Sequence, residues 1–111
     1  MLRRGDIVLV AFPYSDGTRG KVRPALVVQS DRNNRRLQDT VVAMIYGNTR
    51  LAGTEPTQFL IDQKSGVHGP SAIKCETLCL VAQSAILRTL GSLTPEQVTA
   101  VDACLRHALE L

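Results

Sequence analysis

The amino-acid sequence predicts an antiparallel, strand-rich barrel or sheet closed by a C-terminal helix. Several short apolar runs, rich in β-branched residues, are separated by stretches of glycine, proline, asparagine and aspartate, which is the pattern of strands joined by turns. Apolar residues at helical spacing appear near the C-terminus. The 111 residues are the size of one ordinary domain with its own core, so we expect a single domain over residues 1–111.

The first half of the chain is predicted to hold three strands. Residues 7–12 form an apolar run bounded by turn formers, and residues 24–29 form a second run whose first residue is a proline, a position that strands accept. Residues 40–46 are the third apolar run. Between them, residues 13–20 are dense in turn formers and predict a loop, while the polar residues 30–39 predict a loop or a single helical turn.

The second half predicts shorter segments and then the helix. After a loop over residues 47–56, apolar runs follow at residues 57–61, 71–75, 78–81 and 85–90, with a glycine-rich turn at residues 66–70. Thr94 offers a capping hydroxyl, Pro95 suits the first helical position and Gln97 completes a capping box. The helix is expected to run to about Leu109 and to pack its apolar stripe on the sheet.

Composition is that of a folded globular protein whose first half is basic, a bias that many solvated faces also carry. Hydrophobic residues make up 44% and charged residues 21% of the chain, as in ordinary globular proteins. Residues 1–50 contain nine Lys and Arg against four Asp and Glu, whereas residues 51–111 contain four against six. A basic first half attracts phosphate backbones. No apolar stretch approaches the roughly 20 residues of a membrane span, and the start lacks a signal-peptide pattern, so a cytoplasmic protein without membrane contact is expected.

The three cysteines predict neither a disulfide framework nor a metal site. An odd number of cysteines without a leader argues against paired disulfides. Cys75 and Cys79 are four residues apart without a matching Cys or His pair elsewhere, so a zinc site is not expected. If their segment is one regular strand, both face the same side. We interpret them as small apolar core residues.

Four stretches in order resemble one protein family. They are residues 4–10 (RGDIVLV), 20–28 (GKVRPALVV), 41–45 (VVAMI) and 71–76 (SAIKCE), and they are similar to the PemK/MazF toxins of type II toxin–antitoxin systems. The resemblance implies a small SH3-like barrel with a C-terminal helix, a fold that this family shares with a DNA gyrase poison. It also implies metal-independent and cofactor-free cleavage of single-stranded RNA at short motifs, a homodimer, and a cognate antitoxin that blocks the RNA groove.

The chemistry of such a cleavage identifies candidate catalytic residues. When the 2′-OH of RNA attacks the adjacent phosphorus, the reaction needs a base, an acid and positive charge beside the phosphorane-like oxygens. Arg23 matches the family's catalytic arginine, and its guanidinium fork suits phosphate. Where part of the family has an arginine–cysteine–aspartate triplet that supplies acid and base, this chain reads Lys74-Cys75-Glu76. On a regular strand, Lys74 and Glu76 would share one face.

The end of the third strand departs from the family pattern. Many members have Thr or Ser there, whereas this chain has Tyr46, which offers a hydroxyl, a ring that stacks on a base, or simple packing. Thr49 is the alternative source of the hydroxyl, and Asn48 beside it is a candidate RNA contact. Arg19 and Lys21 precede Arg23 and are candidates for clamping RNA phosphates.

Two other functions remain compatible with the sequence. A gyrase-poisoning toxin of the same fold would act by binding a protein, and the matches at Arg23 and Glu76 favour the nuclease over it. A non-catalytic nucleic-acid-binding module would retain the basic surface, and the departures at Tyr46 and Lys74 leave room for it. The RNA motif and the class of RNA do not follow from the sequence.

Overall fold

The computed structural model describes residues 1–12 and 21–111 of the chain. Six antiparallel strands form one sheet in the order β4-β5-β3-β2-β1-β6. The strands are β1 (Asp6–Phe12), β2 (Lys21–Val27), β3 (Asp39–Tyr46), β4 (Gln58–Ile61), β5 (Ser71–Ala82) and β6 (Ile86–Ser92). Helix α1 covers Asp31–Arg36, helix α2 covers Pro95–Leu109, and two 3₁₀ turns cover Gln63–Ser65 and Gln83–Ala85.

Apolar side chains fill both faces of the sheet because the strands alternate in the expected period of two. The cluster that we call helix-side lies under α2 and consists of Ile7, Leu26, Ala43, Ile45, Ile61, Val67, Ile73, Cys75, Leu93, Val101, Cys104 and Leu105. The cluster on the other side, which we call opposite-face, consists of Val8, Val10, Ala25, Val27, Val42, Met44 and Val81. Neighbouring residues such as Ile7 and Val8 therefore belong to different clusters, and the sheet separates the two clusters.

Helix α2 begins and ends where the sequence predicts. The Thr94 hydroxyl accepts a hydrogen bond from the Gln97 backbone N–H at 3.2 Å, and the Gln97 side chain accepts one from the Thr94 N–H at 2.9 Å. These two bonds satisfy backbone donors that a helix start otherwise leaves unpaired. The helix contributes Val101, Cys104 and Leu105 to the helix-side cluster, as its apolar spacing predicts.

The sheet curls until the turn after β4 touches β6, and two glycines permit that contact. Gly66 has φ +100°, and a Cβ on it would lie 2.3 Å from the Leu90 carbonyl oxygen. A Cβ on Gly91 would lie 2.3 Å from the Ser65 carbonyl oxygen. Since real Cβ atoms never approach oxygen so closely, the two backbones pass each other only as glycines. The predicted barrel is thus confirmed as a curled six-stranded sheet with a C-terminal helix, whose edge strands β4 and β6 are not ladder neighbours.

Strand β2 begins earlier than predicted. It starts at Lys21, so Pro24 lies inside the strand rather than at its first position. Pro24 is tolerated there because β3 pairs with β2 only from Ala25 to Val27, which leaves the Pro24 position with a ladder partner on the β1 side alone. The strand predictions at residues 7–12, 40–46 and 57–61 are confirmed to within one residue.

Strand β5 corrects two further predictions. Residues 71–75 and 78–81 are parts of one twelve-residue strand rather than two segments. The strand is irregular: Ala43 pairs with Leu78 and Met44 with Lys74, so three residues of β5 lie opposite no residue of β3. As a result, Cys75 belongs to the helix-side cluster and Cys79 packs against the opposite-face cluster. The expectation that the two cysteines share a face is wrong, because it assumed a regular strand.

Helix α1 is the single helical turn that the polar segment allows. Its buried residue Asn34 accepts hydrogen bonds at Oδ1 from the Thr40 hydroxyl (2.7 Å) and the Gln29 amide (2.9 Å). Its own amide donates to the Gln29 carbonyl at 3.1 Å. A buried polar side chain with its partners in place fixes α1 against the start of β3.

Neither helix in the described part of the chain has the length and apolar character to cross a membrane.

We predict that Thr94→Ala lowers the free energy of unfolding by about 1 kcal/mol, because the first turn of α2 loses its capping acceptor. Urea denaturation followed by circular dichroism measures the change. Thr99→Ala is the matched control: Thr99 lies in the second turn of α2, and its hydroxyl donates to the Pro95 carbonyl, which is no cap. Equal effects of the two substitutions would contradict the capping role.

Candidate functional site

Arg23 lies on the face of the sheet opposite α2. It pairs across the ladder with Val10, a member of the opposite-face cluster, and directly paired residues point to the same side. Lys21 is two residues away on the same strand and pairs with Phe12, which packs against the same cluster. Arg23 is half-buried and Lys21 is exposed. The beginning of β2 therefore brings two cations to one face.

Tyr46 and Lys74 are in direct contact on that face. Tyr46 ends β3 and packs against the opposite-face cluster. Lys74 comes from the neighbouring strand β5, opposite Met44, and its Nζ lies 4.8 Å from the centroid of the Tyr46 ring. An ammonium over an aromatic face is attracted by the ring's negative quadrupole. Tyr46 thus holds the Lys74 ammonium on the same side of the sheet as Arg23.

Glu76 is held at the junction between β5 and β4. Its Oε1 accepts a hydrogen bond from the Thr57 hydroxyl at 3.0 Å, and its Oε2 accepts one from the Gln58 amide at 3.0 Å. Each carboxylate oxygen therefore has its own neutral donor. Among the described residues the one ion pair is that between Arg4 and Asp102, at 2.7 Å, so Glu76 and Lys74 are not paired with each other.

These bonds set the ionisation of the carboxyl group. Partial desolvation raises the pKa of Glu76, but hydrogen bonds from its own backbone N–H, Gln58 and Thr57, together with the charge of Lys74, outweigh that effect. The pKa of Glu76 is therefore below its ordinary value of 4.5. At neutral pH the side chain is a fixed negative charge with an exposed surface.

Lys74 and Glu76 reach toward different neighbours. Gln58 pairs with Lys74 across the ladder, so these two side chains point to the same side, and the Gln58 amide donates to Glu76. Lys74 reaches toward Tyr46 of β3, whereas Glu76, one of the three β5 residues without a partner on β3, reaches toward the start of β4. The structure gives each charged group a separate support.

Asn48 and Thr49 lie in the turn that follows β3. The Asn48 Oδ1 accepts a hydrogen bond from the Arg50 N–H at 3.1 Å, and the Thr49 carbonyl accepts one from the Ala52 N–H at 3.0 Å. Asn48 is exposed and Thr49 is half-buried. Tyr46 and Thr49, the two residues that the sequence offers as the source of the hydroxyl, are three positions apart at this end of β3. The remaining predicted site residue, Arg19, lies outside the described residues.

Sequence reasoning missed Thr57 and Gln58. Gln58 pairs with Lys74 across β4 and β5, and its side chain is only 6% exposed. Nothing in a single sequence indicates which strand pairs with β5, so the donors to Glu76 were not predictable. The signal that was present is weak: two consecutive hydrogen-bonding residues begin an otherwise apolar run.

Two open cavities lie elsewhere on the molecule. One, of about 420 Å³, is lined by the exposed side chains of His68 and Arg88 among others. The other, of about 460 Å³, lies between β4 and the start of α2. Neither is lined by Arg23, Lys74 or Glu76. In the described part of the chain, no group of three or more His, Cys, Asp or Glu side chains is arranged to hold a metal ion.

Comparison with known families identifies a match over nearly the whole chain. A family model described as "PemK-like, MazF-like toxin of type II toxin-antitoxin system" matches residues 3–109. That range includes every strand and both helices.

Solved structures share the fold at low sequence identity. An endoribonuclease from a mycobacterial species, solved with its cognate antitoxin, superposes with a TM-score of 0.82 at 21% identity, over 100% of this chain and 97% of that one. The Mycobacterium tuberculosis toxin MazF-mt6 superposes with a TM-score of 0.74 at 22% identity, over 94% of this chain and 97% of that one. A MazE-MazF structure from Deinococcus radiodurans superposes with a TM-score of 0.80 at 18% identity, over 99% of this chain and 96% of that one. At such identities the similarity establishes the fold.

We predict that the stability difference between the wild type and Glu76→Gln depends on pH. Because the pKa of Glu76 is lowered in the folded protein, its carboxylate stabilises the fold at neutral pH, and that stabilisation is lost as the pH falls through the folded-state pKa, below 4.5. Urea denaturation at pH 7 and at a series of lower pH values should show the wild-type advantage at pH 7 and its decline as the pH falls below 4.5. Glu55→Gln, in the loop before β4, is the matched control, and a pH-independent difference for Glu76→Gln would contradict the prediction.

Proposed function

The chain belongs to the PemK-like, MazF-like toxins of type II toxin–antitoxin systems, and from that premise we propose that it is a sequence-specific endoribonuclease that cleaves single-stranded RNA without a metal ion. The observation that carries the proposal is the arrangement of charge on one open face. Arg23 and a ring-supported Lys74 lie on the face opposite α2, and an ionised Glu76 is held where β5 meets β4. Such a set contains the cation, acid and base that the reaction needs.

In the proposed reaction the RNA supplies its own nucleophile. The ribose 2′-oxygen forms a bond to the adjacent phosphorus, and its proton passes to the Glu76 carboxylate. The bond between phosphorus and the 5′-oxygen breaks, and that oxygen takes a proton from the Lys74 ammonium. The products are a 2′,3′-cyclic phosphate and a 5′-hydroxyl. The base must be ionised before the reaction begins, which the lowered pKa of Glu76 provides at neutral pH.

Arg23 is assigned to the phosphate itself. Negative charge accumulates on the non-bridging oxygens as the phosphorus becomes five-coordinate, and a guanidinium offers two parallel donors to two such oxygens. Its place in a paired strand limits its freedom, so little reorganisation is needed when charge develops. Lys21, two residues along the same face, is assigned to a neighbouring phosphate.

Recognition of the RNA is assigned to the turn after β3. Asn48 is exposed two residues after Tyr46. Its Oδ1 accepts a hydrogen bond within the turn, which leaves its amide nitrogen to donate to the edge of an RNA base. Stacking of a base on Tyr46 competes with the Lys74 ammonium for the same ring. We therefore assign Tyr46 to the support of Lys74, and Thr49 to the hydroxyl at this end of the site.

The proposal includes a homodimer, a cognate antitoxin and a cytoplasmic location. The mycobacterial endoribonuclease named first above was solved in complex with its cognate antitoxin, and the Deinococcus radiodurans structure contains MazE together with MazF. A flexible acidic segment would complement the excess of basic residues in the first half of this chain. All three cysteines are free thiols, which agrees with a reducing compartment.

We predict that Arg23→Ala reduces RNA cleavage by about 10²- to 10³-fold, the usual effect of removing one donor that stabilises a transition-state oxyanion. The assay uses purified protein and a long single-stranded RNA in EDTA, and the product ends are identified as cyclic phosphate and 5′-hydroxyl. Arg106→Ala, an exposed residue near the end of α2, is the matched control and should retain full activity.

If the folded wild-type protein leaves RNA intact, the proposal that it is a nuclease is overturned. RNA binding without cleavage would then identify a nucleic-acid-binding module, and inhibition of DNA gyrase would identify a gyrase poison. A substrate with a single 2′-deoxyribose at the cleavage position adds an internal test, because it lacks the nucleophile and should stay uncut.

We predict that Tyr46→Phe keeps most of the cleavage activity, since the ring that supports Lys74 remains. Tyr46→Ala should lower the rate of RNA cleavage about fivefold, in line with the typical free energy of an exposed cation–π contact. Single-turnover rates at saturating protein measure both. If Tyr46→Phe is as impaired as Tyr46→Ala, then the hydroxyl takes part in the reaction and the assignment to Thr49 is wrong.

A further inference from the structure

Gln58 carries the one buried polar side-chain atom in the described part of the chain that has no hydrogen-bond partner. Its side chain is 6% exposed; its amide nitrogen donates to Glu76 Oε2 at 3.0 Å, and its Oε1 has no donor. Such atoms are rare in native structures because burial removes them from water without replacement. A buried oxygen without a partner destabilises the folded protein. The presence of glutamine at this position therefore needs an explanation other than stability.

The position of the unpaired oxygen follows from the carboxylate. Ionised Glu76 only accepts hydrogen bonds, so the amide must turn its nitrogen toward Glu76 and its oxygen away. Rotating the amide by half a turn would give Oε1 a new environment but would place it against the negative charge. The bond to Glu76 and the unpaired oxygen are therefore two consequences of one orientation.

We propose that Gln58, together with Thr57, is a positioning residue of the RNA cleavage proposed above, holding the two carboxylate oxygens of Glu76 in the direction in which they meet the ribose 2′-OH. The inference rests on that proposed function. Each donor takes one oxygen, at 3.0 Å in both cases, so the carboxylate plane is fixed at two points. The remaining lone pairs of the same oxygens stay open to solvent and substrate, since Glu76 is exposed.

Few other groups influence this carboxylate. Lys74 is the charged group on β5 that favours its ionised form. The negative charge of Glu76 contributes to raising the pKa of two thiols, those of Cys75 and, on α2, Cys104. Burial raises the pKa of Cys75 to about 12 and also raises that of Cys104. Both thiols are therefore protonated and uncharged at neutral pH. Thr57, just before β4, and Gln58, its first residue, contribute neutral donors.

The test replaces Gln58 with methionine, which has similar length but no amide. Gln58→Met removes the donor to Glu76 and the unpaired acceptor at once. We expect cleavage to fall about tenfold, the usual effect of losing a hydrogen bond to a charged group, and the acid limb of the pH–rate profile to move to higher pH. The free energy of unfolding should not fall, because two effects offset each other. Water replaces the lost donor at the exposed Glu76 carboxylate, and the substitution removes the buried Oε1 that has no hydrogen-bond partner.

Three matched measurements complete the design. Thr57→Val, which removes only the hydroxyl, should shift the acid limb in the same direction. Gln38→Met makes the same chemical change just before β3, at the end of that strand remote from Tyr46, and should leave rate and profile unchanged. Titration of the Glu76 carboxyl carbon by NMR, without RNA, should show its pKa rise in Gln58→Met.

The outcomes separate this inference from the proposed nuclease. If the wild type cleaves RNA but Gln58→Met keeps the wild-type rate and pH profile, the positioning role is overturned and the nuclease stands. A variant that loses stability yet keeps its activity also overturns it, because Gln58 would then be structural. If the wild type does not cleave RNA, the nuclease and the positioning role fall together, whatever the NMR titration shows.

Discussion

The site depends on one irregularity in β5, where three residues have no partner on β3. Without it, Cys75 to Leu78 would continue the alternation set by Lys74, and the residues after the site would face the wrong sides of the sheet. With it, Cys75 and Leu78 both face the helix-side cluster although they are three residues apart, and Leu78 resumes the ladder opposite Ala43. Bulges of this kind re-aim side chains without ending a strand. β5 therefore serves as a central strand of the core and as the carrier of two charged groups.

Each charge is supported by neutral groups rather than by the opposite charge. The Lys74 ammonium lies over the Tyr46 ring, and the Glu76 carboxylate accepts from Thr57 and Gln58. A salt bridge between Lys74 and Glu76 would neutralise both and would have to break before either met a substrate. Neutral partners fix direction while leaving the charge free to act on a substrate. The unpaired Gln58 oxygen is the structural cost of this arrangement, of the kind that functional sites tolerate.

Local signals determined most of the fold prediction, and long-range pairing determined what it missed. The capping box and apolar spacing fixed α2 to the residue, since both act within four positions along the chain. The continuity of β5 and the early start of β2 were not predictable, because each depends on which strand lies alongside. Arg23 and the pair of Lys74 and Glu76 came from family resemblance, and their roles stay predictions. The donors to Glu76 came from neither source, since only the pairing of β4 with β5 brings them there.

The contact between Tyr46 and Lys74 changes how the two departures from the family pattern are understood. In the sequence they are separate: a tyrosine where Thr or Ser is usual, and a lysine where part of the family has arginine. In the structure the Lys74 Nζ lies 4.8 Å from the Tyr46 ring centroid. An arginine fixes its direction through a planar fork, whereas a lysine is a point charge on a flexible stem and needs an external guide. The aromatic ring is such a guide. The two departures therefore meet in one contact, in which the tyrosine ring offers the direction that the lysine lacks, while the assignment of the Thr or Ser hydroxyl to Thr49 stays a proposal.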